Sequence, residues 1–264
     1  MRFKDRVLFA TGAASGLAAA TVAKFAEEGG HVAVVDLDLD RAGSIAADLP
    51  SAIPVQCDVA DEDSVKRAVA AVDKHFGRVD CVVNCAGHVI AKSIEDTTVA
   101  EWNKMMTVHT TGPFLIIREL LPLLKQSGAA SIVNISSIAA VTGTTNRSAY
   151  TAAKGAVLAM SRQMAIELAP FGIRVNTVLP GSIDTPMSQQ MASDNATGRG
   201  TGYGALLASV PLGRMGVPQD VAAAILFLLS DDASYFTGTS LTPDGGRTAM
   251  ASVDQAASRV CAAE

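Results

Sequence analysis

Short apolar runs alternate along this chain with longer stretches in which apolar positions recur at helical spacing. Val7–Ala10, His31–Val35, Ile53–Cys57, Val79–Val83, Ser131–Ile135 and Arg174–Leu179 read as strands, with a shorter seventh at Thr239–Thr242. Their near-continuous apolar character is that of strands buried on both faces. Between them Leu17–Glu28, Arg41–Leu49, Glu62–Phe76, Val99–Gln126, Ala149–Leu168 and Asp220–Leu229 read as helices, the fourth expected to break or kink at Pro113 and Pro122. Strand and helix alternating through short connections predict right-handed crossovers. The fold class is therefore α/β, a doubly wound parallel sheet of about seven strands with helices on both faces. No repeat or linker interrupts the pattern, so residues 1–264 are expected to form a single domain. One stretch is irregular: 187–210, rich in Ser, Thr, Asn and Gly. It reads as a substrate loop, because long loops in compact domains are usually functional, or else as plain surface loop.

Composition narrows the class. Of 264 residues 49% are hydrophobic but only 5% aromatic, so small aliphatic side chains do the packing. A chain this long buries roughly three-quarters of its unfolded surface and needs no staples. The net charge of −5, without a basic run, speaks against a nucleic-acid partner. Val221 to Leu229, between Pro218 and Asp231, is about half the length of a membrane span, and Val7–Ala10 is too short for a signal-peptide core. No membrane partner and a cytoplasmic location are the expectation. Cys81 and Cys85, four positions apart on a strand, would stand about 13 Å apart, beyond disulfide reach. Cys57 and Cys261 have no partner at ligand spacing, so no metal site is expected.

In parallel sheets ligands bind at the carboxyl ends of the strands. The first strand runs into Thr11-Gly12-Ala13-Ala14-Ser15-Gly16-Leu17 and then a helix. Glycines there let backbone approach a pyrophosphate, whose charge faces the helix N-terminus; a ligand-free strand-to-helix turn is the alternative. The second strand ends at Asp36, followed by Leu37, and a carboxylate there accepts ribose hydroxyls and repels a 2′-phosphate, which favours NAD over NADP. Asp38 and Asp40 read as caps of the next helix. Asp58 and Val59 close the third strand, the former placed to accept from an adenine amino group. Asn84, Ala86 and Gly87 close the fourth, where small residues let a cofactor lie against backbone. Four compatible strand ends in succession indicate a dinucleotide site.

The fifth strand ends at Ser136-Ser137. Tyr150 follows, with Lys154 four residues later on the same helix face. A nearby ammonium favours phenolate and is expected to lower the Tyr150 pKa from about 10, making it a usable acid/base. These residues together resemble the short-chain dehydrogenase/reductase family, and the resemblance covers almost the whole chain. Thr11, Gly12 and Gly16 match its glycine loop; Asn84, Ala86 and Gly87 its Asn-x-Ala-Gly; Ser137, Tyr150 and Lys154 its triad; Pro180-Gly181 its Pro-Gly segment; Asp244-Gly245-Gly246 its usual ending.

The resemblance implies a Rossmann-like fold and an NAD(H)-dependent oxidoreductase interconverting a secondary alcohol and a ketone. Tyr150 would exchange a proton with the substrate oxygen and Ser137 would polarise that oxygen. Lys154 would lower the Tyr150 pKa and bind the nicotinamide ribose. Ile183 and Thr185 would hold the nicotinamide amide, and a homotetramer or homodimer would form. Two departures stand out. Ala18 replaces the third loop glycine. His109 replaces an asparagine that helps hold a water relay to the lysine. His109 either joins such a relay or merely packs; protonated, it would add charge beside Lys154 and alter the pH profile. These departures motivate a second reading, a degenerate NAD-binding sensor or scaffold. A third, an S-adenosylmethionine methyltransferase, leaves Ser137, Tyr150 and Lys154 unexplained. Asn146, Ser182, Met187 and Met191 are expected near the substrate. Arg199 reads as a solvated loop residue or a contact to an acidic substrate. The tail at 251–264 exceeds the family's usual ending.

Overall fold

The computed structural model describes residues 1–193 and 203–250. Seven strands, β1 (Val7–Thr11), β2 (His31–Asp36), β3 (Ala52–Gln56), β4 (Cys81–Asn84), β5 (Ser131–Ile135), β6 (Arg174–Val178) and β7 (Ser240–Leu241), form one sheet in the order β3-β2-β1-β4-β5-β6-β7. Every pairing is parallel. The strand order reverses between β1 and β4, which opens a crevice at the carboxyl ends of those strands. The expected doubly wound sheet is thus present, with each strand within a few residues of its expected limits.

Nine helices accompany it among the described residues: α1 (Gly16–Glu27), α2 (Leu39–Ala47), α3 (Glu62–Phe76), α4 (Val99–Met106), α5 (Gly112–Ser127), α6 (Ser148–Leu168), α7 (Pro186–Ser193), α8 (Tyr203–Ala208) and α9 (Pro218–Leu229). Alternate strand residues face opposite layers. Leu8 and Ala10 pack with Ala18, Val22 and Phe25 of α1, Ala42 of α2 and Val221 and Ile225 of α9. Val7 and Phe9 pack with Val65 and Val72 of α3, Ile116 and Leu120 of α5 and Ala165 of α6. Phe9, fully buried, illustrates the scale: truncating such a core phenylalanine to alanine costs about 3–5 kcal/mol.

Three expectations change here. The span Val99–Gln126 does divide, but through a π-helical turn, Thr107–Thr111, that precedes Pro113; Pro122 lies inside α5 without ending it. Pro113 falls in the first turn of α5, where a missing N–H costs least. Much of 187–210 is helical, α7 and α8 flanking the undescribed 194–202. Asp38 caps α2 as expected, accepting from the Arg41 N–H at 3.1 Å.

Candidate active site

The crevice is a cavity of about 920 Å³ running from the ends of β1, β2 and β3 to those of β5 and β6. Behind its wall is buried Thr11, whose Oγ1 accepts from the backbone N–H groups of Cys85 (3.1 Å) and Ala86 (3.2 Å), binding the end of β1 to the loop after β4. Gly12 then turns at φ +66°, and a Cβ on it would stand 2.8 Å from Ala86 Cα, so both conformation and space require glycine. Ser15 precedes α1 in extended backbone and caps nothing with its side chain. Ser15, Gly16 and Leu17 therefore present the open, positive end of α1 to the cavity, which suits a pyrophosphate.

At the end of β2, Asp36 accepts from the Ala14 N–H at 3.0 Å and the Asp38 N–H at 3.1 Å, which fixes its carboxylate at the cavity wall beside exposed Leu37. Arg41 pairs with Asp38 at 3.3 Å. Asp58, accepting from the Ala60 N–H at 2.9 Å, and Val59 line the same end. Ala86 and Gly87 form wall after β4. Asn84 does not reach the cavity: it is buried, and its Nδ2 donates to Asn134 Oδ1 at 2.8 Å, joining β4 to β5.

Ser137 stands just beyond β5 with its Oγ accepting from the Ala139 N–H at 3.1 Å, so its hydroxyl proton is left for another acceptor. Tyr150 and Lys154 rise from α6 into the same end of the cavity. Lys154 is buried and its Nζ donates to the Ile135 carbonyl at 2.8 Å, 5.8 Å from the centre of the Tyr150 ring. Burial pushes its ammonium down to about 8. The expectation of a lowered Tyr150 pKa is corrected. Burial raises that pKa, against smaller opposing pulls from the Ser137 hydroxyl and from Arg147 rather than from Lys154.

His109 sits in the π-helical turn, a feature that recurs at functional sites. It packs edge-on against Tyr150, centroids 5.7 Å apart, and so close to Gly87 that a Cβ there would stand 2.3 Å from its Cε1. Its Nε2 lies 2.7 Å from the His88 carbonyl and 3.1 Å from the His88 N–H, so it donates to the first in one tautomer and accepts from the second in the other; Nδ1 is buried without a partner. Burial, followed by the Lys154 charge, pushes His109 down to about 2. The protonated form considered from the sequence therefore does not arise near neutral pH.

Pro180, Gly181, Ile183 and Thr185 line the wall after β6, with Ser182 and Met187. Asn146 does not: at φ +59° it borders a separate cavity of about 260 Å³ with Lys92 and Asp96. Arg199 and the tail at 251–264 lie outside the described residues, as does the Met191 side chain. Sequence reasoning missed Lys104, Arg147 and Arg247, which all line the catalytic end. Arg147, three residues before Tyr150 on the turn that starts α6, was the detectable one.

A family model described as enoyl-(acyl carrier protein) reductase, of the short-chain alcohol dehydrogenase type, matches residues 12–248. The 2,5-dichloro-2,5-cyclohexadiene-1,4-diol dehydrogenase of Sphingobium indicum is 37% identical over 93% of this chain and 97% of its own. The trans-4-hydroxycyclohexanecarboxylate dehydrogenase of Sinomonas cyclohexanicum is 38% identical over 94% of this chain and 95% of its own. Among solved structures, levodione reductase superposes with a TM-score of 0.86 at 34% identity, covering 94% of this chain and 99% of that one.

Proposed function

Because this chain belongs to the short-chain dehydrogenase/reductase family and is an oxidoreductase acting on CH–OH groups, we propose that it interconverts a secondary alcohol and its ketone with NAD(H), using Tyr150 as the proton-transfer group. The observation that carries this reading is the joining of Ser137, Tyr150 and Lys154 to the Asp36 carboxylate through one continuous cavity. When bound, NAD supplies the hydride acceptor or donor, and the protein positions it. The glycine-only approach of Gly12 to Ala86 and the uncapped start of α1 fit its pyrophosphate. Asp36 and Leu37 would hold the adenosine ribose, Asp58 and Val59 the adenine, and Pro180, Gly181, Ile183 and Thr185 the carboxamide. Ala86 and Gly87 form the wall it lies on, and Asn84 supports that wall from behind.

The catalytic residues divide the work. Ser137, its oxygen already accepting from Ala139, donates to the substrate oxygen and polarises it. Tyr150 passes its proton to that oxygen during reduction and takes one during oxidation. Lys154 is held by the Ile135 carbonyl under the tyrosine and would donate to the ribose hydroxyls. His109, neutral and packed on the Tyr150 ring, fixes the phenol's position without changing charge.

The substrate is read as a ring-borne secondary alcohol. The named substrates of the two relatives are of that kind, and cyclopentanol dehydrogenase of a Comamonas strain is a further relative, 35% identical. Exposed Val99 and Trp102 on α4 and Phe114 on α5 support self-association as a homodimer or homotetramer. The free thiols of Cys57, Cys81 and Cys85 suit a reducing cytoplasm. No described helix is long and apolar enough to cross a membrane.

Fluorescence titration with NADH and NADPH, followed by a panel of cyclic secondary alcohols with NAD, tests the reading. Tighter NADH binding and alcohol-dependent NADH formation are expected. NADH binding without turnover on the whole panel would favour a sensor or scaffold instead.

A further inference from the structure

The charges lining the cavity are sorted along the sheet. Its only acidic linings among the described residues, Asp36 and Asp58, lie at the β2 and β3 ends. The catalytic end, at β5 and β6, carries Lys104, Arg147, Lys154 and Arg247 and no carboxylate. Two of these cations are already committed: Lys154 donates to the Ile135 carbonyl, and Arg247 Nη1 donates to Ser182 Oγ at 2.8 Å. Arg147 is different. It is half-buried, lines the cavity beside Tyr150, and makes no hydrogen bond or ion pair through its guanidinium among the described residues. Burial works against the charged form of Arg147, and Arg247 stands near enough for the two like charges to oppose one another; Tyr150 would favour the charge only as phenolate, and burial keeps it a neutral phenol. No carboxylate among the described residues acts on Arg147, and those of the surrounding loops have partners of their own: Glu101 pairs with Lys92 at 2.5 Å, Asp96 accepts from the Ser93 hydroxyl at 2.8 Å, and Asp244 accepts from the Thr248 hydroxyl and the Gly246 and Thr248 N–H groups.

A guanidinium partly withdrawn from water without a counter-charge carries a desolvation cost that no contact among the described residues offsets. An anion from outside removes it. A planar carboxylate matches the arginine fork with two parallel hydrogen bonds. The first turn of α6, which Arg147 precedes, contains no acidic residue to compete. We infer that Arg147, with Arg247 beside it, binds a carboxylate of the substrate, so that the alcohol oxidised at Tyr150 belongs to a hydroxy acid. This rests on the dehydrogenase reading above and deepens it.

The test uses cyclohexanecarboxylate and its neutral isostere cyclohexanecarboxamide, titrated calorimetrically into the full-length protein saturated with NADH. The NADH titration comes first and stands alone: failure there counts against the dehydrogenase reading, not against this one. The carboxylate is expected to bind at least tenfold more tightly than the amide. Arg147→Gln should remove most of that preference, Arg147→Lys should retain part of it, and Arg247→Gln should reduce it less. NADH affinity should stay within about threefold throughout, and thermal melts would identify any variant that fails to fold. Equal binding of the two probes, no binding of either at millimolar concentration, or an unchanged preference in both glutamine variants would overturn the inference. A loss of NADH affinity in Arg147→Gln without a change in preference would also overturn it, by assigning the arginine to the cofactor.

Discussion

Lys154 directs its buried ammonium at the Ile135 carbonyl, 2.8 Å away, and not at the Tyr150 hydroxyl. The folded protein therefore carries a cation held far below its ordinary 10.5, at about 8, by burial. That displacement costs on the order of 3 kcal/mol at neutral pH. Losing the lysine would leave the Ile135 carbonyl unpartnered, which returns about 1–3 kcal/mol of cost. Lys154→Met is expected to be about 1 kcal/mol more stable at pH 7 while losing at least 100-fold in turnover. The gain should shrink as pH rises from 8 towards 10.5, because the folded lysine releases its proton there while the unfolded one keeps it. Urea midpoints at pH 7 and pH 10 measure this, and a variant clearly less stable at pH 7 would contradict it.

Burial holds Tyr150 protonated above the ordinary tyrosine range. In the proposed mechanism reduction consumes the phenol proton, so its rate should stay level through neutral pH. Oxidation needs the phenolate, so its rate should climb about tenfold per pH unit until the tyrosine titrates. Initial rates in both directions from pH 6 to 10 distinguish the two slopes. Tyr150→Phe should lower both by about 10²–10⁴-fold with NADH affinity nearly unchanged.

His109 is neutral across the whole working range. His109→Asn should change the height of the pH–rate profile and leave its inflections in place between pH 5 and 9. An inflection near 6.5 that disappears with the substitution would show that the ring titrates after all.

Asp36 lines the end of the cavity proposed to take the adenosine ribose, with both oxygens already oriented by backbone N–H groups. Replacing it by alanine removes the repulsion of a 2′-phosphate, worth about 1–4 kcal/mol at close range. The ratio of kcat/KM with NADP to that with NAD should rise at least tenfold, and an unchanged ratio would assign the preference to other residues.

Much of this arrangement can be read from the chain because a parallel sheet sends every strand's carboxyl end to one edge. Once the apolar runs are recognised, Gly12, Asp36, Asp58, Gly87, Ser137 and Pro180 must converge. The π-helical turn was invisible since no local residue preference distinguishes Thr107–Thr111 from ordinary helix. The polar composition of 187–210 hid α7, although Pro186 is a helix-start signal. Asn84 illustrates a different limit: a motif names the residue but not the side of the sheet its amide serves. Arg147 and Arg247 are a hundred positions apart and meet only through the packing around β6 and β7.

The strand order has a consequence for how the molecule comes into being. β2 joins β1, β3 joins β2, β4 takes the other side of β1, and β5, β6 and β7 follow outward in turn. No strand ever has to wedge between two already paired. During synthesis the ribosome thus releases each strand to a waiting edge: the half of the sheet that holds Gly12, Asp36 and Asp58 can assemble first. The wall bearing Arg247 arrives last, so a nascent chain would complete the proposed nucleotide cradle well before the proposed catalytic end.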